Sequence, residues 1–202
     1  MRQIRVPKGL IVVSLALLGL AVQAPAAEDP KADLWSLLKG GGQVLFMRHG
    51  QTFPETVDPP GSKMGDCSTQ RNLSDIGRQV ARYVGDAVRA HGVPVGRVLA
   101  SPWCRTMETG MLAFGKAEPW PDLESLGKAG TPERKLRERA LRKLLGTRPK
   151  EGNTVLISHT YVITPLVGIA PVEAEFVVVT PQPGGNFRVA GRISPGDISS
   201  SR

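Results

Sequence analysis

Three short, largely apolar runs constrain the fold of this chain more than any other feature: Val44-Leu45-Phe46-Met47, Arg97-Val98-Leu99-Ala100 and Thr154-Val155-Leu156-Ile157. Runs of this length and continuity read as buried strands. Each stops abruptly at polar residues: Arg48-His49-Gly50 after the first, Ser101 with Arg105 one turn later after the second, Ser158-His159-Thr160 after the third. In open parallel sheets ligands bind in the crevice outside the carboxyl ends of the strands. A histidine placed there can present a ring nitrogen to an anion. Arg48 adds a planar fork matched to phosphate oxygens. Gly50 lets the backbone turn sharply and lets a ligand approach closely.

The segments between these runs read mainly as helices. Asp33 to Lys39 is one, stopped by Gly40-Gly41-Gly42; no Walker lysine follows this triplet, so it is a helix stop and not a phosphate loop. Ser74 caps a second, with apolar residues at Ile76, Val80, Val84, Ala87 and Val88, ending at His91-Gly92. His91, in the last turn, is structural, facing the carbonyl end of the helix dipole. Ser101-Pro102 opens a third helix, and Thr131-Pro132-Glu133 starts a charged one reaching about Leu145. Residues 161–168 form a short helix. Glu175–Thr180 and Asn186–Ile193 form a hairpin joined by Pro-Gly-Gly. Strands alternating with helices predict an α/β fold: three layers, a mostly parallel sheet with helices on both faces. Residues 51–72, rich in Pro, Gly, Asp and Thr, form a long irregular segment at the pocket rim.

The first 26 residues read as a secretory signal. Arg2, Arg5 and Lys8 precede an apolar core from Leu10 to Val22, and Ala24-Pro25-Ala26-Ala27 offers a small-residue cleavage site. The core is short for a membrane span, so no transmembrane segment is expected after processing. Loss of three cations and no anions lowers the formal charge from +8 to +5. About 175 residues remain, enough for one domain over 27–193, with a Ser-rich tail over 194–202 expected to be disordered. The expected location is the periplasm. Sparse aromatics and an exported chain argue against nucleic acid, leaving small anionic molecules or an anionic envelope surface as partners. Cys67 and Cys104 are an even pair in an oxidising compartment, either bridged or two separate thiols. No zinc-type spacing is present, so no metal is expected.

Four segments in order resemble the histidine phosphatase superfamily, the fold of the phosphoglycerate mutases and histidine acid phosphatases. They are Arg48-His49-Gly50-Gln51-Thr52, Asn72-Leu73-Ser74-Asp75-Ile76-Gly77, Ser101-Pro102-Trp103-Cys104-Arg105-Thr106-Met107-Glu108-Thr109 and Val155-Leu156-Ile157-Ser158-His159. The family's Gly-x-x-Gln-Ala reads here as Gly77-Arg78-Gln79-Val80-Ala81, a departure that affects packing. Asp66-Cys67 with Gln70-Arg71-Asn72-Leu73-Ser74 and the export signal resembles the branch of lipopolysaccharide core heptose(II)-phosphate phosphatases.

The resemblance implies roles. His49 is the nucleophile that forms a phosphohistidine. Arg48, Arg105 and His159 hold the transferring group, without cofactor or metal. Arg71, Thr52 and Ser101 contact phosphate or line the rim. The acid for the leaving oxygen is Glu124, with Asp122 as the alternative, and Glu108 orients Arg105. The expected function is an exported phosphomonoesterase acting on a phosphorylated small molecule or a lipopolysaccharide sugar phosphate. The alternatives are a phosphohistidine protein phosphatase and a non-catalytic phosphate-binding envelope protein. Substrate and oligomeric state are not legible in the sequence.

Overall fold

The computed structural model describes residues 30–53, 57–127 and 130–199. The expected signal at residues 1–26 and the last three residues of the expected tail lie outside them. Within them, one sheet contains β1 (Val44–Arg48), β2 (Val95–Ala100), β3 (Glu118–Pro119), β4 (Asn153–Ser158), β5 (Phe176–Pro181) and β6 (Phe187–Ile193). The spatial order is β3-β2-β4-β1-β5-β6. The first four in that order run parallel; β5 lies antiparallel to β1, and β6 to β5.

Alternation along β1 shows why both faces are covered. Leu45 and Met47 pack into a core shared with α1 (Pro30–Lys39), α2 (Asp75–Ala90) and α3 (Cys104–Phe114), through residues such as Leu38, Val84 and Met107. Val44 and Phe46 enter the opposite core with Leu141 and Leu145 of α4 (Pro132–Leu145) and Val162 and Ile163 of α5 (Thr160–Val167). Complete burial of a side chain such as Phe46 contributes about 2–3 kcal/mol. The result is the expected three-layer α/β architecture. Among the described residues no helix is long and apolar enough to cross a membrane.

Register places the site. Met47 pairs with Ile157, which also pairs with Ala100, so β1, β4 and β2 stop at the same level. The residues that follow, His49, His159 and Ser101, therefore emerge side by side in the strand order. Gly77 in the first turn of α2 brings that helix against this edge. A Cβ at Gly77 would lie 1.9 Å from the Gln51 carbonyl oxygen, so only glycine permits the contact. Gly50 serves the same approach: its φ is not in the left-handed region, and a Cβ there would meet the Gly77 carbonyl oxygen at 3.0 Å. The sharp turn expected at Gly50 is thus a close-packing requirement instead.

Three other expectations change. The third helix begins at Cys104, two residues beyond Pro102, because Ser101 still donates its amide to Ile157 across the sheet. Glu108 does not orient Arg105; it accepts from Arg78 Nε at 2.6 Å, reaching across to α2. The expected disordered tail is a short helix, α6 (Pro195–Ser199), over its described part. Asp197 Oδ2 accepts from the Ser194 amide at 2.8 Å and pairs with Lys31 Nζ at 3.1 Å, while Ile198 is buried in the first core. Serine-rich composition hid the capping pattern Ser194-Pro195-Gly196-Asp197.

The described part of the 51–72 segment is crosslinked. Cys67 and Cys104 form a disulfide, Cα atoms 5.7 Å apart. Gln70 donates to the Lys63 carbonyl at 2.7 Å and accepts the Cys104 amide at 2.9 Å. This loop is therefore tied to α3 one residue before Arg105.

Candidate active site

His49 leaves the end of β1 with its ring 5.4 Å, centroid to centroid, from that of His159, at 63°. Its Nδ1 lies 2.8 Å from the Gly50 carbonyl oxygen. A carbonyl can only accept, so the proton sits on Nδ1 and Nε2 keeps its lone pair. Burial, reinforced by the charges of Arg105, Arg48 and Arg71, lowers the His49 pKa from 6.5 to about 3, against the Gly50 hydrogen bond, which raises it. The imidazole is neutral through the physiological range, as a nucleophile requires.

His159 caps the start of α5, and its Nε2 lies 3.0 Å from Ser101 Oγ. Burial first, then His49 and the same three arginines, lowers its pKa to about 2. Ser101 is itself fully buried, so its hydroxyl is engaged in holding the second imidazole. Tyr161, one helical position beyond Thr160, stacks on His159 at 5.0 Å with rings nearly parallel, and its hydroxyl donates to the Glu124 carbonyl at 3.1 Å.

The cations come from three elements. Arg48, the last residue of β1, donates through Nη2 to Glu173 Oε1 and through Nη1 to the Pro171 carbonyl, both at 3.3 Å. Arg105, in the first turn of α3, has a side chain only 3% exposed and donates from Nη1 to Asp58 Oδ1 at 2.9 Å. Desolvation lowers its pKa and Asp58 opposes that shift. Arg71 of the loop donates to Thr52 Oγ1, so these two expected rim residues hold each other.

The geometry thus gathers His49, His159, Arg48, Arg105 and Arg71, with Ser101 and Thr52 behind them. Neither Glu124 nor Asp122 makes a carboxylate hydrogen bond to any of these among the described residues; the Glu124 backbone carbonyl accepts from Tyr161, and its charge acts on that phenol. Sequence reasoning missed Asp58, Glu173 and Tyr161. Glu173 stands at no recognisable spacing, and Asp58 is one acid among several polar residues in the rim segment. Tyr161 follows His159 by two residues, and only its stacking reveals it.

Several buried nitrogens here lack partners among the described residues: Nε of Arg48, Arg71 and Arg105, and Nδ1 of His159. A buried unpaired donor costs about 1–3 kcal/mol, more when charged. Donors left unpaired around one lone-pair nitrogen form a receptor for a compact anion. Among the described residues no group of three or more His, Cys, Asp or Glu is arranged to hold a metal.

The class this architecture defines is the phosphoglycerate mutase-like fold found in the histidine phosphatases. No family profile matches the chain, and no curated protein matches it in sequence. Among solved structures it is similar to the protein histidine phosphatase SixA complexed with tungstate, with 24% identity, 77% of this chain and 99% of that one covered, and a TM-score of 0.56. It is also similar to a phosphoserine phosphatase mutant from Entamoeba histolytica in complex with phosphoserine, at 14% identity, 77% and 98% coverage and TM-score 0.55. A third is the ecdysone phosphate phosphatase of Bombix mori in complex with tungstate, at 15% identity, 76% and 92% coverage and TM-score 0.53.

Proposed function

We propose that this protein is a phosphomonoesterase that passes the phosphoryl group first to His49 and then to water. The observation carrying this reading is the set of partnerless buried guanidinium and imidazole nitrogens around the lone-pair Nε2 of His49. Nε2 attacks phosphorus in line, while Arg48, Arg105 and His159 take the equatorial oxygens. With Ser101 donating to Nε2 of His159, Nδ1 carries the proton and donates to the phosphoryl group. Phosphoryl transfer asks mainly for positioning and charge stabilisation, and fixed cations in a buried site supply both. The fold's occurrence in phosphatases supports the same reaction class.

The finer reading is an exported enzyme acting in the periplasm on a lipopolysaccharide sugar phosphate. Its supports are the basic and apolar pattern of residues 1–26, a disulfide suited to an oxidising compartment, and a basic balance that attracts anionic surfaces. Similarity to SixA favours a second reading, a phosphatase of phosphohistidine in proteins.

The test is p-nitrophenyl phosphate hydrolysis in EDTA by the protein and by His49→Ala. The expected outcome is phosphate release that falls at least about 10³-fold in the variant. Equal release by both removes His49 from the mechanism. No release by either, with phosphate still bound, identifies a binding protein instead. A panel of heptose phosphates, nucleotides and a phosphohistidine-bearing protein then separates the two substrate readings.

A further inference from the structure

We propose that Asp58 is the acid that protonates the leaving oxygen, a role that rests on the phosphatase reading above. Breaking an alkyl ester releases an alkoxide, so an acid must stand at the mouth of the cradle. The carboxylates of Glu124 and Asp122 make no hydrogen bond to it among the described residues. Asp58 does: Oδ1 accepts from Arg105 Nη1 at 2.9 Å and from the Arg71 amide at 3.0 Å. Both bonds fall on one oxygen, and Oδ2 makes no hydrogen bond among the described residues.

Exposure gives the direction. The Arg105 side chain is 3% exposed and that of Asp58 is 20%, so the carboxylate stands on the solvent side of the guanidinium. The phosphoryl group occupies the buried end, which places the departing alcohol on the side where Asp58 stands. The charges of Asp58 and Glu124 both act on Tyr161, whose ring stacks on His159, but Asp58 alone of the two is hydrogen-bonded to a guanidinium of the cradle. The disulfide and Gln70 fix the loop that carries it.

The protons balance. A phosphate ester, with a second pKa near 6, brings a proton as its monoanion, and that proton passes to Oδ2. As the His49 Nε2–P bond forms, the bond from phosphorus to the ester oxygen breaks. That oxygen keeps the electron pair and takes the proton from Oδ2. In the second half the carboxylate takes a proton from water, the hydroxide oxygen bonds to phosphorus, and the N–P pair returns to Nε2.

The experiment compares Asp58→Asn with the unaltered protein on two esters, p-nitrophenyl phosphate and glycerol 2-phosphate. Asparagine keeps a side-chain oxygen for both hydrogen bonds, so the loop stays in place. The expected result is a fall in kcat/KM, which reads only the steps up to departure of the alcohol and not the later water step, of about 100-fold or more on glycerol 2-phosphate, whose alkoxide needs a proton. On p-nitrophenyl phosphate, whose leaving group departs as a stable anion, the change in kcat/KM stays within about threefold, while kcat falls with the loss of the base in the shared water step. Equal losses of kcat/KM on both esters assign Asp58 a structural role and overturn the proposal. So does a lower KM with faster turnover of both, which makes Asp58 a counter-ion that substrate displaces. A selective loss in Glu124→Gln but not in Asp58→Asn transfers the role to Glu124. Inactivity of the unaltered protein on both esters overturns the phosphatase reading itself, and this one with it.

Discussion

Replacing Cys67 and Cys104 together by serine removes the covalent link between the 57–72 loop and α3. The bridge closes 37 residues of sequence separation. The chain-entropy relation for such a loop gives a stabilisation of about 4 kcal/mol, through restriction of the unfolded state. For a domain of this size that corresponds to a fall in Tm of roughly 8–16 °C. Noncovalent contacts survive the change and set the lower side of that range, among them the Cys104 amide to Gln70, Gln70 to the Lys63 carbonyl and Arg105 to Asp58. The loop also supplies Arg71 and Asp58 to the site, so its loosening raises KM for p-nitrophenyl phosphate by about tenfold, equivalent to about 1.4 kcal/mol of binding. Thermal unfolding followed by circular dichroism, on the double variant and on protein held in dithiothreitol, measures the first effect; steady-state kinetics measures the second. A Tm shift below about 3 °C with unchanged KM would refute the reasoning, showing that noncovalent contacts alone hold the loop.

Two further outcomes follow from the buried imidazoles. His49 and His159 have folded-state pKa values of about 3 and about 2, both below the unfolded 6.5. The unfolded chain therefore binds more protons, and stability contributed by these groups is present above pH 6.5 and lost as pH falls toward 3. Two such groups give a slope on the order of 2–3 kcal/mol per pH unit between pH 6 and 4; urea unfolding at pH 7 and pH 5 measures it, and equal midpoints count against neutral buried rings. Ser101→Ala leaves His159 Nε2 without its neighbour, and kcat/KM is expected to fall roughly 5–30-fold through loss of about 1–2 kcal/mol. An unchanged kcat/KM in steady-state assays removes Ser101 from the support of that ring.

Much of the fold was legible because its signals are local. The apolar runs at 44–47, 97–100 and 154–157 mark three of the strands, and Ser74 caps α2 as its sequence implies, accepting from the Gly77 amide. The cluster of His49, Ser101 and His159 was legible for a related reason: parallel strands bring their carboxyl ends to one edge, so polar residues just after each strand meet there. What escaped depends on tertiary contact. Arg105 has an acid three residues on in its own helix, yet Glu108 turns to Arg78, and the partner of Arg105 is Asp58, 47 positions earlier in the chain. Glu173 is likewise brought to Arg48 only by the return of the chain before β5. The short helix α6 escaped because four residues of capping pattern weighed less than a serine-rich composition.

The common level at which β1, β4 and β2 end has a consequence for how such a molecule can change. Its two imidazoles are set by the ladder beneath them, whereas the aspartate and one guanidinium arrive on a separate span riveted to a helix by sulfur. Insertions or exchanges within that span can reshape the outer side of the site while both imidazoles stay put. Tolerance to substitution should then be high at exposed positions of 57–66 and low at Met47, Ile157 and Ala100, whose alignment keeps the reacting groups abreast.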